Sequence, residues 1–151
     1  MEYSHRYRAH PNSQVATALH RHINIHRQAY NHTRYEYENL PSETDTIGSA
    51  YKHHNRLKQW KKDYPLVGEV HSKALQRTVT RFYDNLRNLK NKKDAGYNVG
   101  WLKWKPPREY RSMTYSQSGF ELKNTSGQTA TLWLSKIGDI PIRYHRSLPD
   151  E

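Results

Sequence analysis

VHSKALQRTVTRFYDNLRNLKNKKDAGYNVGWLKWK, residues Val70 to Lys105, changes its period halfway along. Up to Leu89 the apolar residues Leu75, Val79, Phe82, Leu86 and Leu89 recur three or four apart, which is one face of a helix. Lys73, Arg77 and Arg81 fall four apart on a neighbouring face, so a cationic stripe runs beside the apolar one. A basic turn follows, Lys90-Asn91-Lys92-Lys93, and then a glycine-flanked aromatic and basic segment, Gly100-Trp101-Leu102-Lys103-Trp104-Lys105. Such a unit buries one side and offers cations and flat rings to a polyanion.

Upstream of this stretch the pattern is helical. Glu2 to Ala9 is rich in tyrosine and arginine and reads as a short strand. Pro11-Asn12-Ser13 then starts a helix, with Asn12 or Ser13 as its cap. From Ser13 to about Glu38 the residues Val15, Ala18, Leu19, His22, Ile25, Ala29, Tyr30, Thr33 and Tyr37 keep a helical period, and Leu40-Pro41-Ser42 ends it. A second helix fits Ile47 to Lys62, with Tyr51, His54, Leu57 and Trp60 on one face, closed by Asp63-Tyr64-Pro65. The third runs from about Val70 to Leu89. Three amphipathic helices with proline-marked turns make a small bundle. After Lys93 the glycines and Pro106-Pro107 break helices. Tyr110–Gln117, Phe120–Asn124, Thr129–Leu134 and Ile140–Tyr144 read as short strands, with turns at Ser118-Gly119, Ser126-Gly127 and Gly138-Asp139. The expected class is α+β.

Composition limits what such a fold does. The 151 residues carry 25 Lys and Arg against 14 Asp and Glu, a net charge of +11. Charge of that size speaks to partners, with nucleic acid first and an anionic membrane surface second. Only 34% of residues are hydrophobic, but twelve tyrosines and four tryptophans bring large apolar bodies with polar tips. There is no cysteine, which removes disulfides and thiolate zinc sites. No apolar run nears the roughly 18 residues of a membrane span, and MEYSHRYRAH lacks a signal peptide's apolar core. A cytoplasmic protein is expected.

The candidate binding groups are cations with polar residues among them. Ser72 and Gln76 share a face at the edge of the apolar stripe; glutamine can read adenine and serine can donate or accept. An ordinary polar helix edge and a solvated charged face would look the same. Trp101 and Trp104, beside Lys103 and Lys105, suit base stacking or core packing, and one of each is expected. Tyr115-Ser116-Gln117 offers hydrogen bonds at a strand end. His22 and His26 stand one helical turn apart, but without a HExxH arrangement or a third ligand they read as bundle residues and not as a metal site. No Gly-rich phosphate loop, Ser-His-Asp spacing or nuclease-type strand aspartate is present, so no enzymatic activity and no cofactor are expected.

Several short motifs, in order, resemble the N-terminal part of the TnpB (OrfB) family, transposon-encoded RNA-guided DNA endonucleases related to type V CRISPR effectors. Arg8-Ala9-His10-Pro11 is similar to the family's opening strand and proline turn, and Tyr30-Asn31 to the "YN" of its first helix. Val70 to Gln76 resembles its V-x-S-x-x-L-Q run, Gly100 to Lys105 its G-F-P-R-F-K run, and Ser112 to Gln117 its S-F-R-Y-T-Q segment. Lys136-Ile137-Gly138-Asp139-Ile140 and His145-Arg146-Ser147-Leu148-Pro149 resemble its K-x-G-x-I and H-R-x-L-P elements. The resemblance implies a wedge β-barrel interrupted by a helical, helix-turn-helix-like recognition domain. Residues 1–10 would form the first wedge strand, 11–95 the helical domain and 96–151 further wedge strands, an incomplete barrel. Trp101, Leu102 and Trp104 depart from the Phe-Pro-Arg-Phe pattern, and the RuvC carboxylates and cysteine zinc finger that would follow are not in the sequence.

On that resemblance the chain is expected to bind guide-type RNA and double-stranded target-adjacent DNA, in transposition of an insertion sequence, without nuclease activity of its own. No membrane or small-molecule substrate is expected. Ser72, Gln76, Ser116 and Gln117 would read bases, with Tyr115 beside them. Lys73, Arg77, Arg81, Lys90, Lys92, Lys93, Lys103, Lys105, Arg111 and Arg146 would grip phosphates. Two other classes fit the same composition: a stand-alone helix-turn-helix regulator of duplex DNA, and a module for an acidic protein partner.

Overall fold

A computed structural model describes residues 4–39, 50–116 and 118–146. Its contacts divide the chain into two compact units, Met1–Arg21 with Gln117–Glu151, and His22–Ser116. The class is α+β. No helix among the described residues is long and apolar enough to cross a membrane.

The first unit is built on an antiparallel three-stranded meander, β1 (Phe120–Ser126), β2 (Thr129–Leu134) and β3 (Gly138–Arg143), in that spatial order. Alternation places Ala130, Leu134, Ile140 and Ile142 on one buried face, as the period of two requires. Lys123 of β1 and Asp139 of β3 reach across the central strand to form an ion pair at 3.1 Å. The β1–β2 turn uses Gly127 at φ 58°, where a side chain would be strained. The expected turn at Gly138-Asp139 lies one step earlier: Ser135 to Ile137 make it, with Lys136 at φ 66°, and Gly138 opens β3. The expected strand from Glu2 to Ala9 is, in its described part, a single bridge from Ala9 to Ile142. Two backbone bonds flank it, His10 N–H to the Pro141 carbonyl (2.8 Å) and Arg143 N–H to the Arg8 carbonyl (2.9 Å). These cover part of the outer edge of β3, which would otherwise be open to other strands.

Helix α1 (Ser13–Asn39) begins in the first unit and continues into the second. Its cap is Asn12, whose Oδ1 accepts the Val15 N–H at 2.8 Å. The second unit adds α2 (Ala50–His53), α3 (Leu57–Asp63) and α4 (Ser72–Asp94). The single helix expected over Ile47–Lys62 is thus two helices with a 3₁₀ turn, His54–Arg56, between them; its first residues and Leu40-Pro41-Ser42 lie outside the described residues. The inward face also differs from the expected one. His53, Leu57 and Trp60 are buried, whereas Tyr51 is exposed and His54 half-buried. A second short 3₁₀ element, Pro65–Glu69, leads into α4.

Helix α4 extends beyond its expected end at Leu89. Lys90-Asn91-Lys92-Lys93, read from sequence as a turn, is helical, and the stop comes at Gly96 with φ 95°. The Gly96 N–H bonds the Lys93 carbonyl (3.1 Å) and the Tyr97 N–H bonds the Lys92 carbonyl (3.0 Å), the paired bonds that close a helix around a left-handed glycine. Lysines in the last turn also suit the partial negative charge at that end.

Ile25, Ala29, Leu57, Trp60, Val67, Val70, Leu75 and Val79 form the main core of this unit, and Tyr30, Phe82 and Tyr110 a second cluster beside it. One buried acid ties the helices together. Glu36 Oε1 accepts Trp60 Nε1–H (3.0 Å) and His53 Nε2–H (3.0 Å), and Oε2 accepts from Arg56 (2.9 Å) with His32 Nε2 at 3.5 Å. His53 Nδ1 is then left to accept the Tyr83 hydroxyl at 2.7 Å, which continues the chain of bonds to α4. Burial pushes the Glu36 carboxyl pKa up, but the bonds from His32, His53, Arg56 and Trp60 outweigh it and hold the group ionised. His22 and His26, the pair tested for metal binding, are both buried, and His26 Nδ1 meets Thr78 Oγ1 at 2.7 Å. Burial first and His22 second lower the His26 pKa from 6.5 to about 4.

Glu36→Ala leaves several buried donors unpaired and should cost about 3 kcal/mol or more in urea unfolding; a loss under about 1 kcal/mol would contradict the tie. Stability should also fall on acidification, in two steps. Unfolded His26 takes a proton below 6.5 that the folded ring refuses until about 4, so stability drops through that window, by about 3 kcal/mol from this group. Glu36, whose folded pKa is depressed, withdraws its contribution as pH falls below the ordinary 4.5. His26→Gln should flatten the upper step, and an unchanged slope between pH 6.5 and 4.5 would disprove its origin.

Candidate nucleic-acid interface

The segment after Gly96 contains no strand up to Ser116, against the expectation for Tyr110–Gln117. Most of it is extended, with one 3₁₀ turn at Pro107–Glu109, and it runs back along α4 from C-terminal to N-terminal end. Val99, Gly100 and Trp101 lie by Leu86, Leu89, Lys90 and Lys93. Tyr110 packs with Phe82, Ser112 to Thr114 face Arg77, Thr78 and Arg81, and Tyr115 stacks on His71 (5.3 Å, 9° between planes).

Side chains hold this return segment where a neighbouring strand would do so in a sheet. Asn31 is bonded to both backbone groups of Lys105, its Oδ1 accepting the N–H (2.8 Å) and its Nδ2 donating to the carbonyl (3.0 Å). Arg27 also donates to the Lys105 carbonyl (3.1 Å), and Arg34 to the Leu102 carbonyl (2.9 Å). Leu102 packs into the second core cluster. The YN and GWLKWK motifs, 74 residues apart at the Asn31–Lys105 clamp, are therefore in direct contact.

Two clefts open along this seam. The smaller, about 260 Å³, is polar and lined by Arg77, Arg81, Asp84, Asn85, Tyr110 and Ser112 among others. The larger, about 660 Å³, is lined by Tyr37, Tyr83, Leu86, Leu89, Val99 and Trp101, with Arg87, Lys90 and Lys93 on its rim.

The expected contact residues have different surroundings. Lys73, Arg77, Lys90, Lys92, Lys93 and Lys103 are exposed and form no ion pair with a described residue. Arg81 is committed within the fold: its guanidinium lies 4.4 Å from the Tyr110 ring centroid and donates to Ser112 Oγ at 3.0 Å. Arg111 is exposed and donates to the Arg108 carbonyl (2.8 Å), and Lys105 is half-buried with its backbone clamped. Ser72, the first residue of α4, accepts from Lys61 Nζ (2.9 Å). Gln76 is half-buried; its carbonyl accepts from His54 and Thr80, each at 3.0 Å, while its side-chain amide makes no bond to a described residue. Tyr115 is half-buried, which raises its hydroxyl pKa, and Ser116 is exposed. Arg146 belongs to the first unit, where its carbonyl accepts the Tyr7 hydroxyl; Gln117 and Ser147-Leu148-Pro149 lie outside the described residues.

Trp101 and Trp104 are alike, each about half exposed (48% and 54%), where one buried and one exposed ring had been expected. Trp101 stacks loosely on Tyr37 and donates its N–H to Glu38, and Arg27 lies over Trp104 at 5.7 Å. Leu102 between them does the packing. Sequence reasoning missed Arg87, Tyr83 and the cleft face of Tyr37. Arg87 falls six residues after Arg81 and three before Lys90, a continuation of the basic series that spacing alone can show. Among the described residues no three or more His, Asp or Glu side chains are arranged to hold a metal ion.

In comparison with known proteins, no family model matches the chain and no curated protein matches it significantly.

Asn31→Ala removes two bonds worth about 1 kcal/mol each. It should raise amide exchange around Leu102–Lys105 at least tenfold while the core helices stay protected. Unchanged exchange at Lys105 would show that the clamp does not hold the segment.

Proposed function

We propose that this chain binds nucleic acid through α4 and the return segment, and that it is a non-catalytic N-terminal portion of a TnpB-type transposon protein. The observation that carries the reading is the set of exposed cations on α4, Lys73, Arg77, Lys90, Lys92 and Lys93, that no described carboxylate neutralises. Phosphates recognised by such groups fix register, and polar side chains supply sequence preference. Ser72 and Gln76 flank the first two of these cations, and the Gln76 amide is uncommitted. Guide-type RNA and target-adjacent duplex DNA are the proposed partners, in the cytoplasm. The wedge reading of the first unit is part of the same proposal. It draws support from residues 8–10 bonding to β3, which brings the two ends of the described chain into one sheet system.

The test is a salt titration with an RNA hairpin, a DNA duplex and an acidic peptide as separate probes. Log affinity for nucleic acid should fall linearly with log salt, and Lys73→Gln with Arg77→Gln should reduce the slope by about 2 for a duplex. Gln76→Ala should relax discrimination between duplex sequences and leave the slope unchanged. Absence of RNA and DNA binding at 50 mM salt would overturn the reading. Two-fold stoichiometry on a palindromic duplex, with no RNA binding, would favour a stand-alone helix-turn-helix regulator. Tight binding of the peptide alone would favour a protein-interaction module.

A further inference from the structure

The 660 Å³ cleft beside the C-terminal half of α4 is not used by a phosphate grip alone. Its walls are aromatic and aliphatic: Tyr37, Tyr83, Trp101, Leu86, Leu89 and Val99. Its volume falls in the range of about 300–1,000 Å³ typical of sites that enclose small organic groups. The rings are held in place from behind. Tyr83 bonds through His53 to the buried Glu36, Tyr37 meets Tyr83 edge-on (5.9 Å, 84°), and the Trp101 N–H is fixed by Glu38. Trp101 keeps about half its surface open to solvent.

The rim is cationic on one side. Arg87, Lys90 and Lys93 follow at three-residue intervals, about 4.5 Å of rise each, and each step turns about 60° short of a full circle. The series therefore winds from the solvent side of α4 toward the cleft mouth. Arg87 pairs with Asp84, while Lys90 and Lys93 pair with no described acid. Glu38, the acid nearest Trp101, lies 3.4 Å from Arg34 and is offset by it. A flat apolar group flanked by phosphates matches this layout. A base pair inside a duplex does not, because its faces are covered by its neighbours.

We propose that this cleft takes an unpaired base of single-stranded nucleic acid, stacked against Trp101, with the adjoining phosphates on Lys90 and Lys93. The proposal rests on the nucleic-acid reading and goes beyond it by naming a strand state and a stacking residue.

The experiment compares three probes of equal length at low salt: a 12-mer oligouridine, the same backbone with abasic sites at every position, and a duplex. Stacking is worth about 1–3 kcal/mol per base, so oligouridine should bind roughly ten-fold tighter than the abasic strand. Trp101→Ala should abolish that difference without changing abasic affinity, and Trp101→Phe should keep most of it. Lys90→Gln with Lys93→Gln should weaken both strands alike. Equal affinity of wild type for the base-bearing and abasic strands would overturn the stacking site while leaving phosphate binding intact. A preference that survives Trp101→Ala would also overturn it. If none of the three probes binds, the underlying nucleic-acid reading fails with it. Quenching of Trp101 fluorescence by a Glu- and Leu-rich amphipathic peptide, without any response to the oligonucleotides, would reassign the cleft to a protein partner.

Discussion

A single buried carboxylate organises the helical unit. Glu36 lies on α1, and its partners come from α1, α2, α3 and the 3₁₀ turn between the last two. An ionised acid in that position is tolerable only because every lone-pair direction has a donor. His53, Arg56 and Trp60 stand three and then four residues apart, so their side chains reach one carboxylate from one face of the α2–α3 stretch. Through His53 the constraint passes to the Tyr83 hydroxyl, so an acid in the interior fixes a ring on the wall of the larger cleft. A thin apolar core is thus supplemented by one fully satisfied polar network, which specifies a unique packing as well as adding stability.

The return segment shows a second use of polar side chains. An extended chain leaves its N–H and C=O groups in need of partners. Lys105 finds them in Asn31 and Arg27 of α1, and the Leu102 and Ser112 carbonyls find donors in Arg34 of α1 and Arg81 of α4. Asn31 suits this because its amide carries one acceptor and two donors in a plane, the same pattern a peptide group presents. The consequence is a seam along α4, with its clefts, that a strand committed to a sheet would not form.

How much of this the sequence discloses depends on the range of the interaction. Helices α1 and α4 and the three β-strands rest on local periodicity and turn residues, and Leu75, Val79 and Phe82 are in the core where the spacing puts them. Lys90-Asn91-Lys92-Lys93 has no apolar period to mark it, but lysine is a good helix former and the helix runs on to the stop at Gly96. Tyr110–Gln117 alternates like a strand, but whether extended backbone joins a sheet is decided by what lies beside it. The tie at Glu36 has no sequence signature, since its partners are spread over 28 residues from His32 to Trp60. The basic half of the candidate surface was visible in spacing. Its aromatic half was not, because Tyr37, Tyr83 and Trp101 come from three separate elements.

The state of the acids gives the surface its character. Glu36 is enclosed by its donors, Glu38 is matched by Arg34 and Trp101, Asp84 by Arg87, and Asp139 by Lys123. Four of the 14 acids are thus matched within their own units, one of them buried, against 25 basic residues in the chain. Unrelieved, such an excess repels itself and weakens the compact state. A polyanion of the kind proposed would relieve that repulsion and, by binding the folded form in preference, would stabilise it. The interior network and the bare cations of α4 divide the basic groups: Arg56 turns onto the buried Glu36, whereas Lys73, Arg77, Lys90, Lys92 and Lys93 stay exposed, where the proposed phosphates would meet them.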